Sequence, residues 1–272
     1  MRTSRLTAEL LDIGSIRIHV ERRGTGPALL FIPGGGVDAT HFATLAELLA
    51  DDYHTICYDR RGYYRSPAPP DSRDATVDDH ADDAAALLRA LGVEPVAVWG
   101  GSIGGIILLS LLKRYPDLVR AAIVHEPPLF TLLDEASRFR TALVTLNAQA
   151  RREGARSVMA DHARAELGEA FNLLNSPARD RMLDNAEPFL LRDIPGLIRS
   201  IPGPEVTVSA VPTAVLRRAE NDRSMPGRAA EELAKRLGVP LEFIPGGHIP
   251  YLTAPESTAA SIKSILQRPV DN

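Results

Sequence analysis

The sequence predicts an α/β protein, in which a mostly parallel β-sheet is flanked by helices and a helical segment is inserted after the strand that ends at His125. Short apolar runs alternate with segments of helical period, which is the βαβ rhythm of a parallel sheet. Between residues 129 and 200 this rhythm stops, and Arg- and Ala-rich helical segments follow one another without a convincing strand. We therefore expect an α/β core formed by residues 1–128 and 201–272, and a helical cap formed by residues 129–200.

The elements follow from local signals along the chain. Residues 16–20 alternate in polarity and a Gly- and Pro-containing turn at 24–27 precedes an apolar run at 28–32, which predicts a hairpin leading into a buried strand. Thr76 with Asp79 three residues later marks a helix start. Further strands are predicted over 55–58, 95–99, 121–125, 213–216 and 241–244, and helices over 41–49, 76–91, 103–113, 227–237 and 256–266.

Composition excludes several functional classes. The 272 residues include 31 basic and 35 acidic side chains, and a net charge of -4 gives no attraction to nucleic acid or to an anionic membrane. The single cysteine, Cys57, cannot form an internal disulfide, which is typical of a cytoplasmic protein. No apolar run approaches the roughly 20 residues that span a bilayer, and the first residues lack the apolar stretch of a signal peptide. We expect a soluble cytoplasmic protein; its oligomeric state is not indicated.

A candidate nucleophile lies at a predicted strand-to-helix junction. Residues 100–105 read G-G-S-I-G-G, which matches G-x-S-x-G in the context that gives this motif its meaning. Ser102 must occupy a strained turn, and the flanking positions lack side chains because strand and helix crowd together there. Since the N–H groups at the helix start point toward a developing oxyanion, the Ile103 N–H is one expected donor.

The same glycine-rich turn has a second interpretation, as a phosphate-binding loop of a dinucleotide fold. Glu126 even lies near the distance at which such folds place a ribose-binding acid. The G-x-G-x-x-G spacing fails, however, because Ser102 occupies the place of the second glycine, and two further strands precede this unit. The interpretation of this turn as the position of a nucleophilic serine is therefore preferred, and no cofactor is expected.

Two further loops complete the expected constellation. Residues 33–36 read P-G-G-G after a buried strand, where the Gly35 N–H is the candidate for the second oxyanion donor; a flexible turn is the alternative. His248 lies in P-G-G-H-I-P-Y, after the last predicted strand and before the last helix, where a catalytic base would stand. A lone histidine is more often structural, and this one is interpreted as catalytic because of its place. The seven histidines show no metal-ligand spacing, so no metal is expected.

The acid that would orient His248 has two candidates. Glu126 follows the predicted strand at 121–125, and Asp222 lies beyond the strand at 213–216. Both satisfy the chain order nucleophile, acid, histidine. Asp222 could instead be a surface turn residue, and Glu126 a carboxylate that lines the pocket or binds loop N–H groups. From the residues alone either carboxylate could accept the Nδ1 proton of His248.

Together these motifs resemble the α/β-hydrolase superfamily across the whole chain. Residues 59–66 look like its D-x-x-G-x-G-x-S loop, with Tyr64 in place of the second glycine. More narrowly, W-G-G-S at 99–102, H-E-P-P at 125–128 and the His248 loop look like zearalenone-type lactone hydrolases and related uncharacterised α/β hydrolases. In that group the acid is the glutamate after the sixth strand, so the resemblance implies Glu126.

The commoner pattern for the later acid, P-T-x-x-x-x-G-x-x-D, fits this chain less well. The place of its glycine holds Arg218, the place of its aspartate holds Asn221, and Asp222 comes one residue late. An insertion could absorb that shift, so Asp222 stays open as the alternative acid.

The expected reaction is cleavage of a small-molecule carboxylic ester or lactone, such as a macrolactone of the zearalenone type, through an acyl-serine. A serine at position 102 argues against the dehalogenase and epoxide hydrolase branches, which resemble this chain but use an aspartate. Carbon–carbon bond hydrolysis, thioester hydrolysis and perhydrolysis use the same triad and stay open, as does a non-catalytic binding protein on this scaffold. Trp99 is the single tryptophan, so the insertion offers none as an aromatic wall. Candidate substrate contacts, each equally suited to the core of the cap, are Leu129, Phe130, Phe171, Phe189, Leu190 and Ile249.

Overall fold

In the computed structural model of the protein, residues 5–14, 16–68, 74–203, 211–219 and 224–268 are described. Their strands form one eight-stranded sheet in the order β1-β2-β4-β3-β5-β6-β7-β8. The pairs β1–β2 and β2–β4 are antiparallel and the remaining pairs are parallel. The strands are β1 (Thr7–Asp12), β2 (Arg17–Arg23), β3 (Ala28–Ile32), β4 (His54–Tyr58), β5 (Val96–Gly101), β6 (Val119–His125), β7 (Thr213–Arg218) and β8 (Leu241–Ile244). The predicted fold class is confirmed.

Burial explains why the central strands were readable from sequence. Every residue of β5 is buried, and β3, β4 and β6 are buried along most of their length. A parallel strand covered on both faces needs a nearly continuous apolar run, and these segments have one. The carboxyl ends of β3, β5, β6 and β7 consequently lie at one edge of the sheet, where ligands bind in open α/β folds.

The helices cover the sheet and continue into the insertion. Helix α2 begins at a capping box, in which the side chains of Thr76 and Asp79 bind each other's backbone N–H, and ends at Gly92 with φ 61°. The helices are α1 (Ala43–Leu49), α2 (Val77–Leu91), α3 (Ile103–Arg114), α4 (Ala136–Glu153), α5 (Ala155–Leu167), α6 (Glu169–Leu173), α7 (Ser176–Asp184), α8 (Ala186–Pro188), α9 (Ile194–Ser200), α10 (Met225–Leu237), α11 (Pro250–Thr253) and α12 (Pro255–Leu266), with a π-turn at Phe189–Asp193.

Helices α4 to α9 all lie between β6 and β7, within residues 129–200. We refer to residues 129–200 as the helical insertion. Its inner surface packs against the same core as the sheet, since Phe189, Leu190 and Leu197 belong to the common buried cluster. The division of the chain into a core and a cap stays a prediction. Among the described helices none is both long enough and apolar enough to cross a membrane.

The N-terminal hairpin differs from the expectation. The turn at 24–27 connects β2 to β3, but these strands are not neighbours, because β2 pairs with β1 and β4. The hairpin partner of β2 is β1, to which the sequence analysis assigned no strand. The physical reason is that β1 is an edge strand: its residues are exposed or only half-buried, and Leu10 is 42% exposed, so its apolar signal is weak.

Candidate active site

Ser102 occupies a strained turn between β5 and α3. Its backbone has φ 54° and ψ -128°, outside the regions that L-residues ordinarily adopt, and such a conformation costs about 1–3 kcal/mol. The turn is held because the Ser102 N–H donates to the His125 carbonyl at 2.9 Å. Neighbouring glycines are required by space: a Cβ on Gly100 would lie 2.4 Å from the Gly104 carbonyl oxygen, and one on Gly104 would lie 2.2 Å from that of Ile32.

The glycine loop after β3 lies directly beside this turn. A Cβ on Gly34 would lie 3.4 Å from the Ser102 Cβ and 4.0 Å from the Ile103 nitrogen. The Gly34 carbonyl accepts a hydrogen bond from Arg60 Nη2 at 2.9 Å. Because C=O and N–H point in opposite directions across a trans peptide, the Gly35 N–H is turned away from Arg60. Gly35 and Ile103 both line the cavity that contains Ser102.

A histidine and a carboxylate meet at the ends of β6 and β8. His248 Nδ1 lies 2.6 Å from Glu126 Oε2, and the Glu126 side chain is fully buried. Glu126 has φ 43°, and its N–H donates to the Leu216 carbonyl at 3.0 Å. His248 is carried by a loop in which Gly246 and Gly247 both have positive φ.

Arg218 binds the same carboxylate from the end of β7. Its Nε lies 2.9 Å from Glu126 Oε1, its Nη2 lies 2.9 Å from Oε2, and its own backbone N–H donates to Oε1 at 3.0 Å. Burial by itself would raise the pKa of Glu126, but hydrogen bonds from His248 and Arg218 outweigh it and hold this pKa well below the usual range. Glu126 is therefore an ionised acceptor for His248.

Sequence reasoning noted Arg218 only as a departure from a motif. Arg218, which stands in the place of the motif's glycine, is the residue that binds Glu126, so the departure from the motif was itself the missed signal. Asp222, the other candidate acid, lies outside the described residues.

The other nitrogen of His248 faces the helical insertion. His248 Nε2 lies 4.0 Å from Glu166 Oε1 on α5. Both Ser102 and His248 line the same cavities, yet among the residues described no hydrogen bond joins the Ser102 hydroxyl to the His248 ring. Such bonds are often long in a ligand-free site and tighten when substrate binds.

Two cavities meet at Ser102, and we call them lobe A and lobe B. Lobe A measures about 70 Å³ and lobe B about 140 Å³. Both are bordered by Ser102, Ile103, His162, Glu166, Phe189 and His248. Lobe A is completed by apolar side chains that include Val37, Met159, Leu167, Met182, Ile249 and Tyr251. Lobe B is completed by Pro128, Phe130, Phe139, Leu143, Leu146, Ile194, Leu197, Met225 and Pro226.

The predicted substrate contacts divide between pocket and core. Phe130 lines lobe B, Ile249 lines lobe A, and Phe189 lines both. The other three, Leu129, Phe171 and Leu190, line neither lobe. Leu129 and Leu190 are fully buried, and Phe171 is 2% exposed. The structure places those three in the hydrophobic core, which is the other role that an apolar residue of the insertion can take.

A buried polar cluster under the glycine loop ties it to the helical insertion. Arg60 is fully buried and donates to Asp193 Oδ2 at 2.5 Å and to the Tyr63 hydroxyl at 2.7 Å, while His80 Nε2 lies 3.0 Å from Asp193 Oδ1. Burial alone would raise the pKa of Asp193, but the charge of Arg60 lowers it to about 2. We call Arg60, Tyr63, His80 and Asp193 the Arg60 cluster. Sequence reasoning missed it, because its members are far apart in the chain.

His125 is a buried histidine next to the site. Its ring stacks on Trp99 with centroids 5.6 Å apart and lies 6.3 Å from the His248 ring. Within the described residues neither ring nitrogen has a hydrogen-bond partner. Burial lowers the pKa of His125 to about 3, so the ring is neutral at pH 7. The described residues contain no group of three or more His, Cys, Asp or Glu side chains that could hold a metal ion.

Comparison with known proteins agrees with the fold. A profile described as alpha/beta hydrolase fold matches residues 27–255, so the chain belongs to the α/β-hydrolase fold family and is an enzyme of that family. It is 29% identical over 265 residues to the uncharacterized hydrolase YraK of Bacillus subtilis, covering 95% of each chain. It is 26% identical over 269 residues to a zearalenone hydrolase of Cladophialophora bantiana, covering 95% of this chain and 96% of that protein.

Among solved structures, a thermophilic esterase from Thermogutta terrifontis superimposes with a TM-score of 0.77 at 24% identity, covering 97% of this chain and 98% of the esterase. At that identity the similarity shows a shared fold.

Proposed function

We propose that the protein is a serine hydrolase that cleaves a carboxylic ester or lactone through an acyl enzyme at Ser102. The observation that carries this proposal is the 2.6 Å contact between His248 and the buried Glu126, at a cavity that Ser102 also lines. A buried carboxylate on Nδ1 fixes the tautomer that leaves Nε2 free to accept a proton, which is the role of the acid in a catalytic triad. Glu126 is therefore the acid of choice, and Asp222 is its alternative.

In the proposed reaction Ser102 Oγ attacks the substrate carbonyl carbon while His248 Nε2 takes the hydroxyl proton. The negative charge moves to the carbonyl oxygen, where the N–H groups of Gly35 and Ile103 stabilise it. Collapse of this intermediate breaks the bond to the alcohol oxygen, which receives the proton from His248. A water molecule, deprotonated by the same base, then attacks the acyl carbon, releases the acid and returns the proton to Ser102.

The two lobes supply places for both parts of an ester. Both lobes open on Ser102 and have mostly aliphatic and phenylalanine walls, so the acyl and alcohol parts of a substrate can occupy one lobe each. A macrolactone such as zearalenone is a candidate, since a relative is named for that substrate. Lobe B includes Phe130 and Phe139 as aromatic surfaces where the helical insertion has no tryptophan.

The test is release of p-nitrophenol from p-nitrophenyl esters of increasing acyl length. Ser102→Ala is expected to lower kcat by about 10³-fold or more, because the nucleophile is lost. Ser110→Ala is the matched control: Ser110 lies in the same helix α3, is buried, and binds Asp78 instead of lining a lobe. Full activity of Ser102→Ala, or no turnover of any ester by the wild type, would contradict the proposal, and the second result would favour a binding protein.

The acid is tested by comparing Glu126→Ala with Asp222→Ala. Loss of the triad acid leaves the base in the wrong tautomer and lowers kcat by up to about 10⁴-fold. We expect this loss for Glu126→Ala and a change of a few-fold for Asp222→Ala; the reverse order would assign the role to Asp222. Values of kcat/KM for a panel of lactones, simple esters, thioesters and carbon–carbon substrates then separate the reactions that share this triad.

A further inference from the structure

Among the described residues that line both lobes, one side chain carries a formal charge, and it lies on the helical insertion. Among the described residues that line lobe A or lobe B there is no lysine, arginine or aspartate, and Glu166 is the one glutamate. His162, one helical turn before Glu166, does not offset this charge, because burial lowers its pKa. Tyr251 is also uncharged, because burial raises the pKa of its hydroxyl.

Within the described residues the charge of Glu166 has no arginine or lysine partner. In the described part of the chain no arginine or lysine lies within ion-pair distance of its carboxylate, and His248 Nε2 lies 4.0 Å from Glu166 Oε1. Glu126, which contacts His248 at Nδ1, differs from Glu166 in this respect, because the guanidinium group of Arg218 binds its carboxylate and matches its charge. The Glu166 side chain is 37% exposed, so it meets whatever enters the cavity.

We propose that Glu166 is a specificity-determining residue that makes the site select neutral or cationic esters and reject anionic ones. This inference rests on the proposed function. An anionic substrate group held beside Ser102 is repelled by the like charge of Glu166, which lines the same two lobes. A hydroxyl, amide or ammonium group in the same place can instead donate a hydrogen bond to this carboxylate. The substrate class is thus an ester or lactone with two apolar parts and no carboxylate near the scissile bond.

The same charge acts on the product. Hydrolysis turns the acyl part of a neutral ester into a carboxylate, and this carboxylate is formed at Ser102, within the reach of Glu166. The repulsion absent from the substrate is present in the product. Glu166 therefore favours release of the acid and keeps product inhibition weak, without taking part in any bond change.

The experiment compares three phenyl butyrates that carry a carboxylate, a carboxamide or a trimethylammonium group at the meta position. For each enzyme, kcat/KM of the charged esters is divided by that of the carboxamide ester, so changes in basal activity cancel. In Glu166→Gln we expect the carboxylate ratio to rise about tenfold, equivalent to about 1.4 kcal/mol, and the trimethylammonium ratio to fall. Glu166→Lys should exaggerate both changes, and the Ki of butyrate should fall in both variants.

Asp161→Asn is the matched control. Asp161 lies on the same helix α5, is exposed, and lines neither lobe, so the same change of charge should leave both ratios as in the wild type. In the wild type, added salt should raise the carboxylate ratio, because ions screen the repulsion.

Three results would overturn the inference, in two different ways. Equal ratios in the wild type, Glu166→Gln and Glu166→Lys would show that Glu166 does not set the charge preference, while the proposed hydrolase activity would stand. Failure of the wild type to turn over any of the three esters, or unchanged turnover by Ser102→Ala, would instead contradict the proposed function and this inference with it.

Discussion

Replacing Arg218 by methionine removes the cation that binds the buried carboxylate of Glu126. The side chain of Arg218 contributes hydrogen bonds to both carboxylate oxygens, at 2.9 Å to Oε1 and 2.9 Å to Oε2. In the variant Glu126 keeps the backbone N–H of residue 218 and the contact with His248. The orientation of Glu126 is then fixed by one contact at Oε1 and one at Oε2, and the positive charge of the guanidinium group is lost.

The magnitude follows from these contacts. Loss of a group that orients a catalytic side chain commonly lowers activity about 10- to 100-fold, well short of the roughly 10⁴-fold expected when the acid itself is lost. Leaving one partner of a buried ion pair unmatched destabilises a fold by about 3–5 kcal/mol. We therefore expect Arg218→Met to lower kcat/KM about 10- to 100-fold and to lower the free energy of unfolding by about 3 kcal/mol.

The pH dependence separates a role in positioning from a merely structural one. Arg218 is one of the groups that hold the pKa of Glu126 below its usual range, so removing this positive charge makes protonation at the site easier, and the acid limb of the kcat/KM profile should move to higher pH. Arg218→Lys keeps the positive charge but loses the two-pronged guanidinium contact. It should therefore restore the pH at which the acid limb lies more fully than it restores kcat/KM. The assay is ester hydrolysis from pH 5 to 9, with unfolding by urea measured on the same samples.

Arg217→Met is the control for Arg218→Met. Arg217 is adjacent in β7 and similarly buried, but its guanidinium binds Glu231 on α10 instead of Glu126. This variant should lose some stability and keep its pH profile. The reasoning is refuted if Arg218→Met retains kcat/KM within about twofold of the wild type and shows an unmoved acid limb.

Two further predictions concern the Arg60 cluster and the buried His125. Arg60→Met loses the donor that holds the Gly34 carbonyl, so kcat should fall by up to about 10²-fold with little change in KM, and the affinity for a boronic acid inhibitor should fall in parallel. The control is Arg61→Met, which loses a contact with Asp83 instead and should retain activity. Equal losses of kcat in the two variants would contradict a role of Arg60 in positioning the glycine loop. The pKa of His125 is lowered from 6.5 to about 3 by burial, so below pH 6.5 the unfolded chain binds a proton that the folded protein does not, and stability falls as the pH falls. His125→Phe should flatten this dependence by up to about 1.4 kcal/mol per pH unit between pH 6 and pH 4 in urea unfolding, and an unchanged slope would show that His125 does not cause it.

The sequence predicted those parts of the fold and candidate site that depend on local chemistry. The turn at Ser102 was readable because the chain must use glycine where a Cβ would meet a backbone oxygen at 2.4 Å or less, as at positions 100 and 104. The buried strands were readable because burial on both faces requires a continuous apolar run. Glu126 and Asp222 could not be separated by chain order, since both follow strands that end at the same sheet edge.

Long-range contacts account for what the sequence could not provide. The contact of Arg218 with Glu126 joins residues 92 positions apart, and that of Arg60 with Asp193 joins residues 133 positions apart. An arginine in such a pair carries no periodicity or motif that separates it from an arginine on the surface. Apolar residues of the insertion cannot be assigned from sequence either, because an inward-facing side chain can border a cavity or fill the core, and both roles give the same sequence pattern. Examples are Phe130, Phe171 and Leu190.

The Arg60 cluster has a consequence for protein engineering and for the divergence of relatives. Arg60 belongs to the loop after β4, whereas Asp193 belongs to the helical insertion, and each is the buried counter-charge of the other. A chimera that grafts a foreign insertion without the equivalent of Asp193 onto this sheet would leave a buried arginine unmatched, at about 3–5 kcal/mol. The phenylalanine that covers Gly35 imposes a second constraint, since a Cβ there would come within 2.6 Å of the Phe189 ring. Insertion and sheet are therefore not interchangeable modules here, and an exchange that broadens substrate range has to carry residues 60 and 193 together.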